Sequence, residues 1–280
     1  MSDTEHGHIS STRNPRIRHA LRLRQSTYRR AHRQTLAEGY REIEAVLRND
    51  VPIQTVFACE ELLLSPEGTE LAARLRSRAQ TDGGRFHTVS RHVYGRLAVR
   101  ATVGGLLVEI KPPVHSLRGL VPHPNERLVV LEDVDKPGNI GAVLRTMRAA
   151  GSGTLILATH GGGGTDLMNP NVIRASVGLC FDLRCVEAPV ADVVGWLNRQ
   201  QCTVLAVSPE GRNLYHTSDL PGPIACVFGS EATGLSPIWS DVAHAVAAIP
   251  MTPGVDSLNL SVSVAVVLYE LLRRDLSEPD

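Results

Sequence analysis

The chain contains few lysines and no long apolar run. Lysine occurs only at Lys111 and Lys136, although lysine and arginine together number 29. No apolar run approaches the roughly 20 residues that a transmembrane helix needs. The N-terminal stretch MSDTEHGHIS includes acids and no apolar core, which is unlike a secretory signal. We therefore expect a cytoplasmic protein with no membrane partner.

Cysteine and glycine form none of the common binding motifs. None of the cysteines belongs to a CxxC pair or a zinc-like Cys/His cluster, so we expect reduced, buried thiols and no metal site. The GxGxxG fingerprint of dinucleotide-binding folds is also absent, which argues against an oxidoreductase of the Rossmann type. The five cysteines are Cys59, Cys180, Cys185, Cys202 and Cys226.

Arginine is concentrated in one segment, although the formal net charge is zero. The segment runs from Arg13 to Arg33, and no acid follows it before Glu38. A guanidinium group binds phosphate through a planar fork and stacks on bases. The segment therefore predicts RNA contact, and a solvated basic arm remains the alternative. The candidate RNA-binding residues are Arg22, Arg24, Arg29, Arg30 and, further along, Arg174, for which a surface ion pair is the alternative.

Length and hydrophobic content fit two domains. The chain has 280 residues, of which 42% are hydrophobic, and this suffices for two cores. Helix-like and strand-like stretches alternate, as is typical of the α/β class. We expect a disordered tail over 1–12, a small α/β domain over 13–110 and a proline-rich linker over 111–125. Residues 126–280 should form a parallel sheet with helices on both faces.

The stretch from Ile249 to Arg274 combines a turn with an apolar helix. Prolines and a glycine end any regular element after the strand, and a largely buried helix is predicted from Leu258 onward. Buried polar groups at its start need hydrogen-bond partners. A serine N-cap would satisfy them, and so would a ligand held between the turn and the helix. These polar residues are Ser257, Asn259, Ser261 and Ser263.

Three separated motifs carry the clearest pattern. The first is Asn139-Ile-Gly141 with Arg145, on a helix predicted from about Ile140 to Ala150. The second is Phe228-Gly-Ser-Glu231 with Gly234, and the third is Ile249-Pro-Met251 with Ser257-Leu-Asn259. In this order and spacing they resemble motifs 1, 2 and 3 of the SpoU-type (TrmH-like) RNA 2′-O-ribose methyltransferases of the SPOUT superfamily. The resemblance covers roughly Arg127 to Arg274.

The resemblance implies a fold that periodicity does not reveal. The C-terminal parallel-sheet domain would contain a deep trefoil knot, and it would pack as a homodimer. The smaller preceding domain would be an L30e-like α/β domain that binds the RNA substrate.

The resemblance also implies an S-adenosylmethionine site built from three loops at strand ends. One of these loops follows a strand predicted over Val204–Val207. Gly229 would let the backbone approach the donor closely, although simple turn geometry also explains a glycine there. The cofactor-binding candidates are Ala206, Val207, Ser208, Gly229, Ser230, Glu231, Gly234, Ile249, Met251 and Leu258.

The implied reaction is methyl transfer to a ribose 2′-hydroxyl. Arg145 would act as the base or as a phosphate clamp that stabilises the alkoxide; the pKa of a guanidinium group, above about 12, favours the clamp. Glu231 would hold Arg145 or the Asn139 turn by a charge-assisted hydrogen bond. The catalytic candidates are Asn139, Arg145, Glu231, Ser257 and Asn259.

We therefore predict an S-adenosylmethionine-dependent RNA 2′-O-methyltransferase. Ribosomal RNA is favoured over transfer RNA as the substrate. The modified nucleotide, and the choice between a housekeeping role and antibiotic resistance, stay open. The alternatives are a non-catalytic RNA-binding or assembly protein with a vestigial donor site and an ordinary Rossmann-like oxidoreductase.

Overall fold

The protein divides into two compact units. The computed structural model describes residues 7–99, 104–161, 164–214, 220–255 and 257–277. The first unit comprises Met1–Pro113 and Met168–Asp182, and the second comprises Val114–Leu167 and Leu183–Asp280. The division near residue 113 agrees with two domains. Residues Met168–Asp182, which lie within the range 126–280 predicted for the second domain, cluster with the first unit.

The first unit is built on a mixed sheet of five strands. Strands β3 and β4 are parallel, whereas β5 is antiparallel to both β2 and β3. The strand order is β1-β4-β3-β5-β2. The strands are β1 (His8–Ile9), β2 (Thr35–Glu38), β3 (Ile53–Ala58), β4 (Arg85–Val89) and β5 (Leu106–Ile110). The helices are α1 (Pro15–Arg22), α2 (Ser26–His32), α3 (Tyr40–Arg48), α4 (Pro66–Thr81), α5 (Arg91–Leu97) and α7 (Pro170–Ala175).

Part of the predicted disordered tail is folded. His8 and Ile9 pair with Thr88 and Val89 of β4 in a parallel register, and Ile9 is buried. The expectation of disorder over 1–12 is wrong for these residues, and residues 1–6 lie outside the described part of the chain.

The arginine-rich segment is folded as well. Its apolar residues Ile17, Ala20 and Leu23 are fully buried and belong to the same hydrophobic cluster as Val93 and Tyr94 of α5. The segment is therefore a structural part of the first unit, and the alternative of a solvated arm is wrong.

The second unit contains a six-stranded sheet in which every neighbouring pair is parallel. The strand order is β11-β9-β10-β6-β7-β8. The strands are β6 (Arg127–Glu132), β7 (Thr154–Thr159), β8 (Arg184–Pro189), β9 (Thr203–Asn213), β10 (Ile224–Phe228) and β11 (Ala245–Ala248). The helices are α6 (Pro137–Ala149), α8 (Val190–Arg199), α9 (Pro237–Val242) and α10 (Leu260–Ser277).

The interior strands are buried on both faces, as apolar runs in a parallel sheet predict. Leu128 and Val130 of β6 pack in one cluster with residues of α8 and with Trp239 of α9. The intervening Val129 and Leu131 are also buried. Among the described residues, no helix is both long and apolar enough to span a membrane.

The predicted linker is only partly a linker. A short 3-10 helix spans Leu117–Gly119, and the next residue, Leu120, is buried in the core of the second unit. The indole nitrogen of Trp196 donates to the Leu120 carbonyl at 3.2 Å. Residues from Val114 to Leu167 therefore belong to the second unit rather than to a free connection.

Candidate active site

The site begins where the strand order reverses direction. Strands β7 and β8 lie on one side of β6 in the sheet, whereas the later strands β10 and β9 lie on its other side. Ligands bind at such a switch point, beyond the carboxyl ends of the strands. Leu131, Val207 and Phe228 are aligned in the ladders of β6, β9 and β10. The chain segments that follow these three residues therefore begin side by side at this edge of the sheet.

Residues of β9 from Val207 to Pro209, the end of β10 with its following loop, the segment after β11 and the start of α10 line one cleft of about 250 Å³. Most of the predicted donor-binding residues line it: Val207, Ser208, Gly229, Ser230, Glu231, Gly234, Ile249, Met251 and Leu258. Ser257, predicted to be catalytic, lines it too. Ala206, which is 2% exposed within β9, is not among the lining residues, so its role in donor binding stays a prediction.

The sequence analysis missed several residues of the cleft. Leu260 and Ser263 lie one helical turn apart at the start of α10. Neither is three or four residues from Leu258, so helical spacing from that residue does not indicate them. The others adjoin predicted residues directly. The lining residues outside the predicted donor-binding and catalytic sets are Pro209, Phe228, Leu235, Leu260 and Ser263; of these, Phe228 belongs to the second motif and Ser263 to the polar residues noted at the start of the helix.

Gly229 is required by the packing of its own loop. A Cβ atom at this position would lie 2.1 Å from the carbonyl carbon of Gly234 and 2.4 Å from the amide nitrogen of Leu235. The loop is closed by a bridge between Ser230 and Gly234, whose amide donates to the Ser230 carbonyl at 3.0 Å. Gly234 itself has φ +68°, a conformation that favours glycine. Both glycines thus give the loop its shape.

A polar network lies beside the cleft. Asn139 Nδ2 donates to Glu231 Oε1 at 2.7 Å. Asn259 Nδ2 donates to Asn139 Oδ1 at 3.1 Å and lies 3.4 Å from Glu231 Oε1. The ammonium group of Lys136 pairs with Glu231 Oε2. We call these four residues the site network; it joins all three motifs.

The charge of Glu231 is set by this network. Hydrogen bonds from Lys136 and then from Asn139 lower the pKa of Glu231 below its ordinary value, because both favour the carboxylate. Sequence reasoning missed Lys136. Its signal was a lone lysine directly before Pro137, the first residue of α6.

Asn259 also begins α10. Its Oδ1 accepts hydrogen bonds from the Ser261 amide at 3.0 Å and the Ser261 hydroxyl at 2.7 Å. This is the N-cap arrangement, so the expected serine cap is wrong and an asparagine has that role. One amide side chain therefore fixes the helix start with its oxygen and the site network with its nitrogen.

Arg145 lies apart from Glu231. It is exposed on α6, and no hydrogen bond or ion pair joins it to the part of the chain that the structure describes. The predicted contact between Glu231 and Arg145 is therefore not formed, and the predicted hydrogen bond to Asn139 is present instead. An arginine without partners can bind an anion.

A second carboxylate, Glu132 at the end of β6, holds the loop that follows β10. It is 2% exposed and accepts hydrogen bonds from the Ser236 amide at 2.8 Å and the Ser236 hydroxyl at 2.5 Å. His160 Nε2 lies 2.8 Å from its Oε1. Burial raises the pKa of Glu132, but these hydrogen bonds outweigh burial and the pKa is lowered. We call Glu132, His160 and Ser236 the loop anchor.

Comparison with known protein families agrees with this arrangement. The profile of the SpoU rRNA Methylase family matches residues 126–269, and that of the MRM3-like substrate binding domain matches residues 14–107. The chain belongs to the SpoU rRNA methylase family. Members of this family are RNA 2′-O-ribose methyltransferases that use S-adenosylmethionine.

Three full-length similarities support the assignment to the SpoU family. A crystal structure of an RNA 2′-O ribose methyltransferase has 36% identity and a TM-score of 0.80, and covers 96% of this chain and 99% of its own. The AdoMet-bound rRNA methyltransferase from Sinorhizobium meliloti has 26% identity and a TM-score of 0.86, over 98% and 100% of the two chains. An uncharacterized tRNA/rRNA methyltransferase, slr1673, of Synechocystis sp. is 28% identical over 95% of this chain and 93% of its own.

Two of the RNA-binding candidates of the first unit have structural contacts. Arg29 is 3% exposed, and its guanidinium donates to the carbonyls of Leu23 at 2.9 Å and Arg24 at 2.7 Å. Its prediction as an RNA contact is wrong, because a buried side chain does not reach a macromolecule. Arg24 is exposed, yet it donates to carbonyls at the end of α5.

The other candidates differ in exposure. Arg22 and Arg30 are exposed, and Arg22 lies over the ring of Tyr28. Arg174 of α7 is half-buried and donates to Asn171 Oδ1 at 3.2 Å. Within the described residues, no carboxylate forms an ion pair with Arg174, so the surface ion pair considered for it is not formed.

Proposed function

We propose that this protein transfers the methyl group of S-adenosylmethionine to a ribose 2′-hydroxyl of ribosomal RNA in the cytoplasm. The observation that carries the proposal is the convergence of the three motifs. Glu231 and Asn259, which follow Asn139 by 92 and 120 positions, are joined to it by hydrogen bonds at 2.7 Å and 3.1 Å beside one cleft.

The cleft suits a donor with apolar and charged parts. Ile249, Met251 and Leu258 supply apolar walls, and the tight loop from Gly229 to Gly234 brings backbone amides to the rim. Bound there, S-adenosylmethionine would supply an electrophilic methyl group on a sulfonium cation. We assign its binding to the cleft residues already named.

The side chains beside the cleft suit the acceptor. Arg145 has donors available for a phosphate and for the negative charge that develops on the 2′-oxygen. Asn139, held by Glu231 and Asn259, would orient the ribose. We assign Arg145 to the clamp role, since its exposed guanidinium carries planar donors that have no partner among the described residues. Ser257 would orient the hydroxyl.

The homodimer is part of the proposal and is supported by α10. Val262, Tyr269 and Leu276 are 46%, 49% and 79% exposed. They recur every seventh residue and so lie on one face of the helix. An apolar stripe of this kind fits a second copy of the same surface. Sedimentation of a Tyr269→Glu variant as a monomer would support this interface, and an unchanged mass would exclude it.

We further propose that the second unit is knotted and that the first is L30e-like. In support of a knot, β10 lies inside the sheet between β9 and β6, whereas the later β11 lies at the edge, and the side chain of Asn259 before α10 returns to Asn139 of α6. A crystal structure tests this directly: its backbone trace, tightened from both ends, should close into a trefoil rather than a straight chain.

The experiment that tests the function compares RNA species. Purified protein is incubated with tritiated S-adenosylmethionine and either unmodified ribosomal RNA or transfer RNA, and the products are digested to nucleosides. We expect label in a 2′-O-methylnucleoside from ribosomal RNA. RNA binding without transfer would instead favour the non-catalytic alternative, and label in transfer RNA alone would overturn the substrate. Mapping 2′-O-methyl groups in cellular RNA with and without the gene identifies the modified nucleotide. Measuring the sensitivity of the same cells to ribosome-directed antibiotics separates a housekeeping role from resistance.

A further inference from the structure

Three side chains form a stack on the first unit. The Arg22 guanidinium lies 4.1 Å from the centroid of the Tyr28 ring. The His32 ring stacks on the same tyrosine, with a centroid distance of 4.0 Å and an interplanar angle of 30°. Arg22 and His32 are exposed, and Tyr28 is half-buried. The stack therefore presents flat, cationic or aromatic groups to solvent.

Hydrogen bonds on the protein side hold the stack in place. The Tyr28 hydroxyl lies 2.9 Å from His19 Nδ1. His19 Nε2 in turn lies 3.0 Å from Gln34 Oε1 and 3.3 Å from Glu109 Oε1. Glu109 is buried in β5. Contacts that reach the sheet thus fix the tyrosine ring, so little conformational entropy remains to be lost when a ligand binds to it.

The surroundings are basic. No acidic residue occurs between Ile9 and Glu38, and Arg22 donates no hydrogen bond to any residue that the structure describes. Its donors are open to a phosphate. Exposed arginines that share this segment are Arg13, Arg18, Arg24, Arg30 and Arg33.

We propose that the Arg22–Tyr28–His32 stack is a platform for an unpaired base of the RNA substrate. The inference rests on the proposed function and assigns the contact to particular residues. Proteins read single-stranded RNA by stacking its bases on aromatic rings and guanidinium planes. A phosphate alone would need donors but no flat stack, and a paired base would have no free face. An unpaired nucleotide can use both features, because its base stacks on the flat side chains and its phosphate accepts hydrogen bonds from Arg22.

The chain contains a matched control. Arg76 lies over the ring of Phe86 at 3.9 Å, also in the first unit. Replacing Arg76 removes the same kind of contact from a site that has no exposed histidine stacked beside it in the described structure. Arg22→Lys and Arg76→Lys both keep the positive charge and lose the planar group.

The experiment measures binding of full-length protein to a fluorescent RNA hairpin with an unpaired loop, and to the fully paired duplex of the same stem. We expect Arg22→Lys and Tyr28→Leu to raise the hairpin Kd by about tenfold, as the loss of one stacked base predicts. Tyr28→Phe keeps the ring and Arg76→Lys leaves the stack intact, so both should stay within about twofold of the parent. Affinity for the duplex should change in none of them.

Two further readouts separate stacking from other effects. Tyr28→Leu should weaken binding without changing the salt dependence, because no phosphate contact is lost. Circular dichroism checks that Tyr28→Leu is folded. If it is misfolded, the affinities of Arg22→Lys decide the question. The proposal would be overturned if Arg22→Lys bound the hairpin as tightly as the parent, or if a variant lost equal affinity for hairpin and duplex. Either result would show that the stack serves only to join α1 to α2. If the parent binds the hairpin but methylates no RNA, the proposed function is overturned, whereas the assignment of the stack as a base platform still stands.

Discussion

The loop anchor and the site network each hold a glutamate with a lowered pKa, but in different surroundings. Glu132 is buried and receives hydrogen bonds from both the amide and the hydroxyl of Ser236. Glu231 is exposed and is held by an ammonium group and side-chain amides. The loop anchor fixes the backbone that follows β10, whereas the site network faces the cleft. The comparison predicts that Glu132 determines stability and that the residues around Glu231 determine turnover.

Arg145 should show the largest effect, because it is an exposed cation on α6, the helix that also carries Asn139 of the site network. Arg145→Lys keeps the charge and loses the planar fork. We expect single-turnover methylation to fall by at least about 100-fold, or about 2.7 kcal/mol of transition-state stabilisation. Donor affinity, measured by calorimetry, should be nearly unchanged. Arg148→Lys, an exposed arginine one turn further along α6, is the control; near-normal turnover in the Arg145 variant would remove Arg145 from the reaction.

Glu132→Gln should act on stability instead. A buried charged hydrogen bond contributes about 1.5–3 kcal/mol, so denaturant unfolding should shift by about that amount. The lowered pKa fixes the sign: the contribution of Glu132 is present above the unfolded pKa of about 4.5 and is lost as the pH falls through the folded value. The free energy of unfolding of the glutamine variant should therefore fall less than that of the parent as the pH is lowered through this range. Parental stability at neutral pH would show that the loop anchor is unimportant.

Gly229→Val should weaken donor binding by at least about tenfold, or roughly 1.4 kcal/mol. The added side chain collides with the backbone of Gly234 and Leu235, so the loop opens before any ligand arrives. Circular dichroism should be unchanged, since the strands are not involved. Gly119→Val is the control, because a Cβ there meets nothing within 4 Å. Equal donor affinity in parent and Gly229 variant would exclude this loop from the donor site.

Lys136→Gln should have the smallest effect. An exposed ion pair contributes little, so turnover at neutral pH should fall less than about fivefold. Loss of the lysine should raise the pKa of Glu231, since Lys136 is the main cause of its depression. The acid limb of the rate profile should therefore move to higher pH, and Lys136→Arg should restore it. An acid limb at the same pH in all three proteins would show that Glu231 does not govern it.

Sequence patterns located the central strands well and the polar contacts poorly. Strand β10 has the predicted bounds, Ile224–Phe228, because a strand buried on both faces is an apolar run. Strand β9 extends beyond the predicted Val204–Val207 to Asn213, and the added residues are a mixture of exposed and half-buried positions without an apolar pattern. This extension is determined by backbone pairing with β11 across an irregular register, which leaves no side-chain pattern.

The start of α6 shows how a local error affects the site. The helix begins at Pro137 rather than near Ile140, because proline is well suited to the first helical position. Asn139 consequently lies in the first turn, and its side chain reaches Glu231. Contacts such as that between Lys136 and Glu231 join residues far apart in sequence, so no local spacing predicts them. The burial of Arg29 likewise depends on carbonyls that become available only after α1 and α2 fold.

The most direct test of the central claim is single-turnover methyl transfer to ribosomal RNA by Glu231→Gln and Glu132→Gln, with 2′-O-methylnucleosides as the readout. At a temperature where both variants are folded, the account predicts a large loss of turnover in Glu231→Gln with parental stability. It predicts turnover close to the parent in Glu132→Gln despite its reduced stability. Parental turnover in Glu231→Gln, or label on a base instead of the ribose, would contradict the account.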